Sequence, residues 1–495
     1  MRTLAWALAI LAPALALLAY AASADSRSAR PGVVVSSSPA LIPSFHPGGE
    51  SDYVSRCGRS GLRVRLRGAR GTTVRLDGRR VKRESTHHVG LRADEAVTIA
   101  GAAGGRVVRY YVRCLPRDFP RWTVRRTRSP QAAGYLTLPE RSTPKHAYVT
   151  VFDRNGVPLW WLRAPGKPFD AELLLHHRIA WTQRPNQIFA TGSHPYEVHS
   201  LEGVPEGTIQ GVGMATDFHE LRALPNGDYL VVGTTARRGV DLRRFGGPSN
   251  ATVLDGVVQE ITPEGKVAWS WSSRGHIPLS ATGRWYRLSV LKDHETLAGG
   301  QPAYDLVHFN SAEPDGRNVL ISSRHTDALY EVERATGRIV WKLGGTRSDQ
   351  TLARAGGGKA RQLFGGQHDA RIARDGTITV HDNSTGWGRR PRVLRLRIDI
   401  AHRTARVVQR LTDRSVRIAG CCGSARKLPR GDWVVSWGFS PRFAELTTSG
   451  KPVLEVDFPP GYFTYRAIPL LRGELPARTL RRAMDAMAAQ PRRGQ

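Results

Sequence analysis

Short runs of alternating apolar and polar residues cover most of this chain, and turns rich in glycine separate them. The stretch 305–345 shows the pattern in full, with four such runs and turns at 314–316 and at Thr336-Gly337. Alternation places successive side chains on opposite faces of a β-strand, and DG or TG pairs favour hairpins. This stretch therefore predicts a four-stranded antiparallel unit.

Two hairpin patterns of this unit recur along the chain. The first pattern carries Gly in its turn, and its copies begin at His219, His308, His368 and Gly423. The second closes the unit with another Gly turn and often a Trp, as in 261–271. Units of roughly 50–60 residues with long insertions are typical of a β-propeller. The later part of the chain has room for five or six blades, and we expect six.

The runs between residues 51 and 120 are short and lack the recurring hairpins. We expect them to form a small accessory β-sandwich before a propeller at 121–470, so the predicted fold class is all-β. Residues 25–50 are rich in Ser, Pro and Gly and are typical of a linker. We expect residues 471–495 to form a basic C-terminal tail, in which 478–487 is a candidate for a short basic helix.

The first 24 residues differ from everything that follows. Arg2 precedes an apolar run from Leu4 to Leu18, and the small residues Ala22-Ser23-Ala24 come next. This pattern predicts a secretory signal cleaved after Ala24, and hence a secreted or extracytoplasmic protein. No later run is long enough to span a bilayer, so we expect no membrane span.

The four cysteines fall into two pairs. Cys57 and Cys114 flank the predicted sandwich, and in an exported protein we expect them to form a disulfide. Closing a loop of about 57 residues contributes roughly 4 kcal/mol in the chain-entropy model. Cys421 and Cys422 are adjacent, and they are either a vicinal disulfide or two thiols that point in opposite directions.

The formal net charge of +31 would suit a nucleic-acid-binding protein. The basic residues are scattered through every run, however, and no stretch interleaves them with aromatic residues as a base-stacking surface would. We therefore expect no nucleic-acid partner, and only a general attraction for small anionic substrates.

The candidate chemistry lies at the start of the recurring hairpins. Equivalent positions in different blades converge near the axis of a propeller, so His219, His308 and His368 are expected to face one cavity. Asn310 is two residues after His308 and is expected on the same face of its strand. Arg324 is as far after the turn as His308 is before it, which predicts a cross-strand pair.

Two other interpretations of the histidines stay open. Histidines at repeated strand starts can hydrogen-bond between strands without any chemical role. Three histidines can also bind Zn²⁺ or another divalent ion, with Asp217, Asp305 and Asp369 as further ligands or as groups that orient the ligands.

The motifs around these residues resemble those of the arylsulfotransferase family, the exported bacterial aryl-sulfate sulfotransferases that do not use PAPS. They are D-F-H-E-L at 217–221, H-F-N-S at 308–311 with S-S-R at 322–324, and the run from G-G-Q-H-D-A to V-H-D-N at 365–383. The resemblance covers roughly 145–470 and is greatest to a distant, actinobacterial-type branch.

This resemblance implies a six-bladed propeller that moves a sulfuryl group from a phenolic sulfate ester to a phenol through a sulfohistidine. His368 would be the nucleophile, His219 and His308 would contact the sulfate or the phenolic oxygens, and Asn310 and Arg324 would bind the sulfate. The partners would be a small aromatic sulfate donor and a phenol acceptor. No metal and no cofactor would be needed.

Aromatic residues in the predicted loops could stack on an aryl substrate: Trp285, Tyr286, Tyr304, Phe364 and Trp387.

Other functional classes remain as alternatives. The segment ATGRIVW at 335–341 also resembles the repeat of quinone- and calcium-dependent dehydrogenases, which have vicinal cysteines like Cys421-Cys422 beside their cofactor. A metal-dependent hydrolase or lyase is a second alternative, and a non-catalytic propeller that binds a ligand or a partner is a third.

Overall fold

The computed structural model of the chain describes residues 32–48, 51–141, 146–184, 192–297, 299–356, 359 and 362–490. Within these ranges the protein is almost entirely β, as predicted, with one α-helix and a few short helical turns. No helix in the described ranges is long and apolar enough to cross a membrane. The predicted secretory signal at 1–24 lies outside the described residues.

Two N-terminal sheets share one hydrophobic core. The first has the strand order Val33–Ser38, Leu62–Gly68 and Glu84–Val89. The second has the order Leu41–Ile42, Asp52–Ser55, Arg106–Cys114, Ala96–Ala103, Thr73–Leu76 and Arg79–Val81. In Leu62–Gly68 every second residue is buried, which is the outcome that its alternating sequence predicts.

A disulfide between Cys57 and Cys114 closes this N-terminal unit, as predicted from sequence. The linker predicted at 25–50 needs correction, because Val33–Ser38 and Leu41–Ile42 are strands of these two sheets. The buried side chains of Val33 and Val35 explain the difference, since they pack into the core.

Six more sheets follow among the described residues, and we label them A to F. Each is given from its inner strand outward. Sheet A contains Pro168–Leu173, Ile179–Gln183, Tyr196–His199 and Pro205–Ile209. Sheet B contains Ala215–Ala223, Tyr229–Val240, Ala251–Ile261 and Val267–Ser272, with Pro302–Asp305 and Glu295–Thr296 added at its edge. Sheet C contains Phe309–Asp315, Asn318–Ser323, Ala328–Glu333 and Ile339–Gly344.

Sheets D to F complete this part of the chain. Sheet D contains His368–Ile372, Ile378–Asp382, Arg392–Asp399, Thr404–Leu411 and Ala353–Arg354. Sheet E contains Ser424–Lys427, Trp433–Ser436, Arg442–Leu446, Pro452–Asp457 and Thr123–Arg126. Sheet F contains Tyr462–Leu470, Gly134–Arg141, His146–Asp153 and Pro158–Pro165. Sheets E and F therefore each join strands from both ends of this region.

The inner strands of sheets A to F contact one another in succession, and the inner strand of F also contacts that of A. A buried ion-pair network joins all six of these strands, and its members include Asp170, Glu220, Glu313, Asp369, Arg371, Arg426 and Arg466. Arg371 lies at its centre and donates to both oxygens of Glu220 at 2.6 and 2.9 Å. Buried charges are tolerated only when they are paired in this way.

The helical segments are short, except the last one. They are Leu175–His177, Arg243–Phe245, Leu279–Thr282, Tyr286–Val290, Arg324–Thr326 and Ala477–Ala489. The region predicted as a basic tail thus holds an α-helix, whose Leu480, Ala483 and Met484 are buried against sheet F. Its Asp485 pairs with Arg113 at 2.7 Å, so the helix also touches the N-terminal unit.

Candidate active site

A cavity of about 520 Å³ lies where the inner strands of sheets A, B, C and F begin. This volume is typical of a small-molecule site. Its ionisable lining residues include Asp217, His219, Glu295, Asp305, His308, Arg324 and His325. Its apolar lining residues include Phe169, Phe218, Val290, Phe439 and Phe463.

Two histidines of the cavity are each oriented by an aspartate. Asp217 contacts Nδ1 of His219, and Asp305 accepts a hydrogen bond from Nδ1 of His308 at 2.5 Å. The two imidazole centroids are 4.6 Å apart. Because a carboxylate faces each Nδ1, that nitrogen carries the proton and each Nε2 keeps its lone pair. Of the three histidines predicted to face one cavity, the structure brings His219 and His308 together in the cavity wall.

The charges of these two pairs depend on each other. Burial lowers the pKa of His219, and the Asp217 carboxylate opposes that effect. Burial would raise the pKa of Asp305, but the adjacent His308 outweighs burial and holds this pKa well below its usual range. Both aspartates lie in the cavity wall and stay ionised near neutral pH, so they can stabilise positive charge on the imidazoles.

Arg324 supplies a cation to the cavity, and the carboxylates of Asp305 and Asp327 attract it from beyond ion-pair distance. Among the described residues no carboxylate forms an ion pair with it, and its Nε has no hydrogen-bond partner. Its guanidinium lies 4.3 Å from the ring centre of Trp285. Burial lowers the pKa of Arg324 to about 10, so it is still charged near neutral pH. Its backbone N–H donates to His308 O at 3.0 Å, which confirms the predicted cross-strand pair.

His325 was not singled out from sequence, yet it lies in the cavity wall between Arg324 and His308. Its Nδ1 donates to the backbone oxygen of Asp305 at 2.7 Å. Its Nε2 therefore accepts from Arg324 Nη1, at 2.8 Å. The His325 ring also lies 4.6 Å from that of His308. The sequence could have indicated His325 only through its position directly after Arg324, which was predicted as a site residue.

His368, the predicted nucleophile, is 1% exposed and does not line the cavity. Its Nδ1 lies 2.9 Å from Gly366 O and 2.8 Å from Asn383 Oδ1, and its Nε2 accepts the Cys422 N–H at 3.3 Å. Cys421 and Cys422 form a vicinal disulfide and do line the cavity. The structure thus places the cysteine pair over His368. This contact could not be predicted from the sequence.

Asn310 is also absent from the cavity lining. It is fully buried, and its Nδ2 donates to Gln367 O at 2.8 Å. The prediction that Asn310 shares a strand face with His308 needs correction. His308 has a φ of 51°, and the register shifts between Phe309 and Ser311. This irregularity breaks the two-residue alternation on which the prediction rested.

The aromatic surface of the cavity differs from the one expected. Four of the five predicted aryl-stacking residues are buried away from the cavity, namely Trp285, Tyr286, Tyr304 and Phe364, and Trp387 does not line it. Phe169, Phe218, Phe439 and Phe463 form the apolar wall instead, beside the disulfide of Cys421 and Cys422. Trp285 acts indirectly, because Arg324 stacks on it.

Glu295 brings a third carboxyl group to the side of the cavity that holds Asp217 and Asp305. Burial, together with these two carboxylates, raises its pKa to about 9. Glu295 therefore holds its proton near neutral pH and can donate it to a ligand. The sequence carried no signal for this residue, because it lies in an edge strand that the repeats do not include.

Glu295→Gln is expected to stabilise the protein more at pH 8 than at pH 5, by roughly 3–4 kcal/mol. An unfolded glutamate loses its proton in acid solution, whereas the folded one keeps it up to about pH 9. The free energy of unfolding of the wild-type protein therefore falls as the pH rises from about 5 to 9. The Glu295→Gln protein lacks this contribution, because glutamine does not titrate. Urea unfolding at both pH values measures the effect, with the exposed Glu202→Gln as control. An equal change at both pH values would contradict it.

Asp305, His308 and His325 hold ligand-type atoms within 4.8 Å of one another, the grouping expected of a metal site. The lone pair of His325 Nε2 faces Arg324 Nη1, however, and His308 Nδ1 is already bonded to Asp305. A bound cation would lie next to the guanidinium and be repelled by it. These residues fit an anion better than a divalent metal ion.

The cavity thus combines an unpaired guanidinium, two carboxylate-oriented imidazoles and an aromatic wall. Such a set of side chains suits a small molecule that has an anionic group and an aryl ring. The family model for arylsulfotransferase (ASST) matches residues 197–459, which is more than half of the chain. The chain belongs to this family, as its motifs predicted, and membership supports aryl sulfotransferase activity in general.

Similar solved structures include several enzymes of other classes. A virginiamycin B lyase from Staphylococcus aureus is 8% identical, with 69% of this chain and 89% of that chain covered and a TM-score of 0.34. A functionally unknown protein from Desulfotomaculum acetoxidans is 12% identical, with 74% and 96% covered and a TM-score of 0.35. A glutaminyl cyclase from Myxococcus xanthus is 14% identical, with 59% and 100% covered and a TM-score of 0.24. TM-scores of this size carry no functional information. No curated protein matches the chain.

Proposed function

We propose that this protein transfers a sulfuryl group from an aryl sulfate ester to a phenol, in two half-reactions through a sulfated histidine and without a nucleotide donor. The observation that carries the proposal is Arg324, a half-buried guanidinium without an ion-pair partner among the described residues, in a cavity with His219 and His308. Membership of the arylsulfotransferase family supports the same reaction class.

The sulfate ester is held by charge. A sulfate monoester is an anion at every physiological pH, so it suits the unpaired guanidinium of Arg324. The transferring group keeps its charged oxygens in the transition state, where a fixed cation with few waters around it is most effective. Phe218 and Phe463 are apolar and lie on the same cavity, so they offer contacts for the aryl ring.

Proton transfer is assigned to His219. Its free Nε2 can accept the proton that the acceptor phenol loses, and the Asp217 carboxylate stabilises the imidazolium that results. The lowered pKa of His219 keeps it neutral before that step. In the next turnover the protonated His219 can give this proton to the phenolate that leaves the donor ester.

The resemblance assigns the sulfuryl-carrying role to His368 and a sulfate-binding role to Asn310. Both remain predictions, and both require a rearrangement. His368 Nε2 accepts the Cys422 N–H, so the Cys421–Cys422 turn must move before an ester can reach it. Asn310 is fully buried and bonded to Gln367.

We further propose that sheets A to F are the blades of a six-bladed propeller, which their inner-strand contacts support. We also propose that the protein acts outside the cytoplasm. Its two disulfide bonds are typical of exported proteins.

The function is tested by incubating the purified protein with 4-nitrophenyl sulfate and following nitrophenol release, with and without added phenol. We expect sustained release only with phenol, and an adduct of one SO₃ group on the intact protein without it. 4-Nitrophenyl phosphate, which has the same ring but a phosphate group, should not be consumed. Release that requires a metal and stops with a chelator would contradict the proposal, as would a complete lack of release.

A further inference from the structure

We infer that the N-terminal unit binds a linear acidic polysaccharide along a row of three arginines on its outer surface. The row consists of Arg63, Arg65 and Arg67, which are the exposed residues of the strand Leu62–Gly68. The inference goes beyond the proposed function and does not depend on it, because the row lies outside the cavity.

The N-terminal unit is more basic than the chain as a whole. Residues 51–120 contain 16 basic and 6 acidic side chains, against 73 and 42 in the full chain. The two-residue repeat of a strand places Arg63, Arg65 and Arg67 in one line, about 6.6–6.8 Å apart. None of the three forms an ion pair within the part of the chain that the structure describes. Their charges repel one another, and a bound polyanion would relieve that repulsion.

Hydroxyl groups lie on both sides of the row. Ser36 is opposite Arg65 in one neighbouring strand, and Ser38 of the same strand is opposite Arg63. In the other neighbouring strand, Thr86 is opposite Arg65. These five residues line a shallow depression of about 540 Å³. The guanidinium groups can pair with the acidic groups of a sugar chain, while the hydroxyls exchange hydrogen bonds with its neutral oxygens.

Negative charge on this face is confined to one position. Glu84 is the only acidic residue in the three strands of this sheet, and it lies opposite Arg67 at the end of the row. The three arginines therefore leave the face with a net positive charge, which complements an acidic chain.

The row faces away from sheets A to F. Arg113 pairs with Asp485 of the C-terminal helix, and it belongs to the six-stranded sheet of the N-terminal unit. Asp52 of the same sheet pairs with Arg481. The six-stranded sheet therefore provides these contacts with the rest of the chain. Because the two sheets pack over one core, the outer face of the three-stranded sheet lies on the opposite side of the unit.

The side chains of this face favour a polysaccharide over other polyanions. A straight row along one strand suits a linear chain with regularly spaced acidic groups better than a compact anion. The three strands contain no aromatic residue, so nucleobases would find no stacking surface. Val34 is their only large apolar side chain that is exposed, which is too little for insertion into a membrane. Arginine-rich runs with hydroxyl neighbours are typical of surfaces that bind acidic polysaccharides.

The inference is tested by fluorescence anisotropy with fluorescein-labelled polygalacturonate, and its neutral methyl ester serves as the reference chain. The test variant combines Arg63→Thr, Arg65→Thr and Arg67→Thr. Threonine suits exposed strand positions, so the thermal unfolding midpoint should stay near that of the wild type. We expect the Kd for polygalacturonate to rise about ten- to a hundredfold. The slope of log Kd against log salt should become shallower by about two to three, since fewer counterions are released.

A second triple variant shows whether the position of the charges matters. Arg238→Thr, Arg397→Thr and Arg406→Thr remove the same charge from exposed strand positions in sheets B and D. This control should change the Kd by less than about threefold, because surface charges far from the row are screened by salt. Lysine at the three row positions should recover most of the affinity, since exposed cations act mainly through their charge.

Four results would overturn the inference: no binding of polygalacturonate by the wild-type protein, equal binding of its methyl ester, equal losses in the two threonine variants, or tighter binding of single-stranded DNA with the same number of charges. The last result would assign the row to nucleic acid. Nitrophenol release from 4-nitrophenyl sulfate should be the same in both threonine variants and the wild type. The outcome is thereby separate from that of the proposed function.

Discussion

Replacement of Arg324 by methionine is expected to lower kcat/KM for an aryl sulfate by about a hundred- to a thousandfold. Arg324 is the cavity cation that lacks an ion-pair partner among the described residues, so methionine removes the charge that faces the sulfate. Methionine keeps much of the side-chain volume over Trp285, and the fold should therefore be retained. Steady-state kinetics with 4-nitrophenyl sulfate and phenol measure the loss.

Two further variants define what the Arg324 result means. Arg324→Lys keeps the charge but not the two-pronged hydrogen-bonding geometry, and it should recover only part of the activity. Arg338→Met removes an arginine that is 75% exposed and paired with Glu333, so it should leave kcat/KM unchanged. An Arg324→Met protein within threefold of the wild type would show that the sulfate binds elsewhere.

The second large effect is on stability. Arg371→Met is expected to lower the free energy of unfolding by about 3–5 kcal/mol. The Arg371 side chain is buried and pairs with Glu220, Asp369 and Glu313, which come from the inner strands of three different sheets. Without Arg371, each of these buried carboxylates loses an ion-pair partner. The cost of burying an unpaired charge is much larger than the net gain from an ion pair, and that asymmetry sets the size of the effect.

Urea unfolding followed by tryptophan fluorescence measures the change. Arg92→Met is the matched control, because Arg92 also pairs with a carboxylate, Glu95 at 2.7 Å, but is 73% exposed. This control should change the free energy of unfolding by less than about 1 kcal/mol, as is usual for surface ion pairs. Equal effects of the two variants would mean that the inner network is not a stabilising feature.

Much of the candidate site could be predicted from the sequence because the chain repeats. His219 and His308 begin equivalent hairpins, and equivalent positions in adjacent sheets come together at the same end of the inner strands. The turn at 314–316 also fixed Arg324 opposite His308, since a hairpin register is set locally by its turn. The disulfide of Cys57 and Cys114 was predictable for another reason, because two cysteines that flank one small unit are expected to be oxidised in a chain with a predicted secretory signal.

The remaining site residues could not be predicted, because their positions depend on contacts between segments distant in sequence. His368 begins its hairpin as His308 does, but the turn of Cys421 and Cys422 from the next sheet covers it. Asn310 faces inward because of a local register shift that the two-residue alternation does not reveal. Glu295 reaches the cavity from an edge strand, and its proton is retained through the proximity of Asp217 and Asp305.

The sequence by itself determined that the chain is built of short alternating strands and that its hairpins repeat, and it predicted that the three histidines at the hairpin starts and Arg324 meet at one end of them. These properties are local, since they follow from side-chain alternation and turn residues. Only the tertiary structure decided which polar groups face the cavity, which histidine is covered, and that seven scattered charged residues form one buried network. Exposure and pairing of charges depend on packing between sheets, and packing is fixed only when the whole chain has folded.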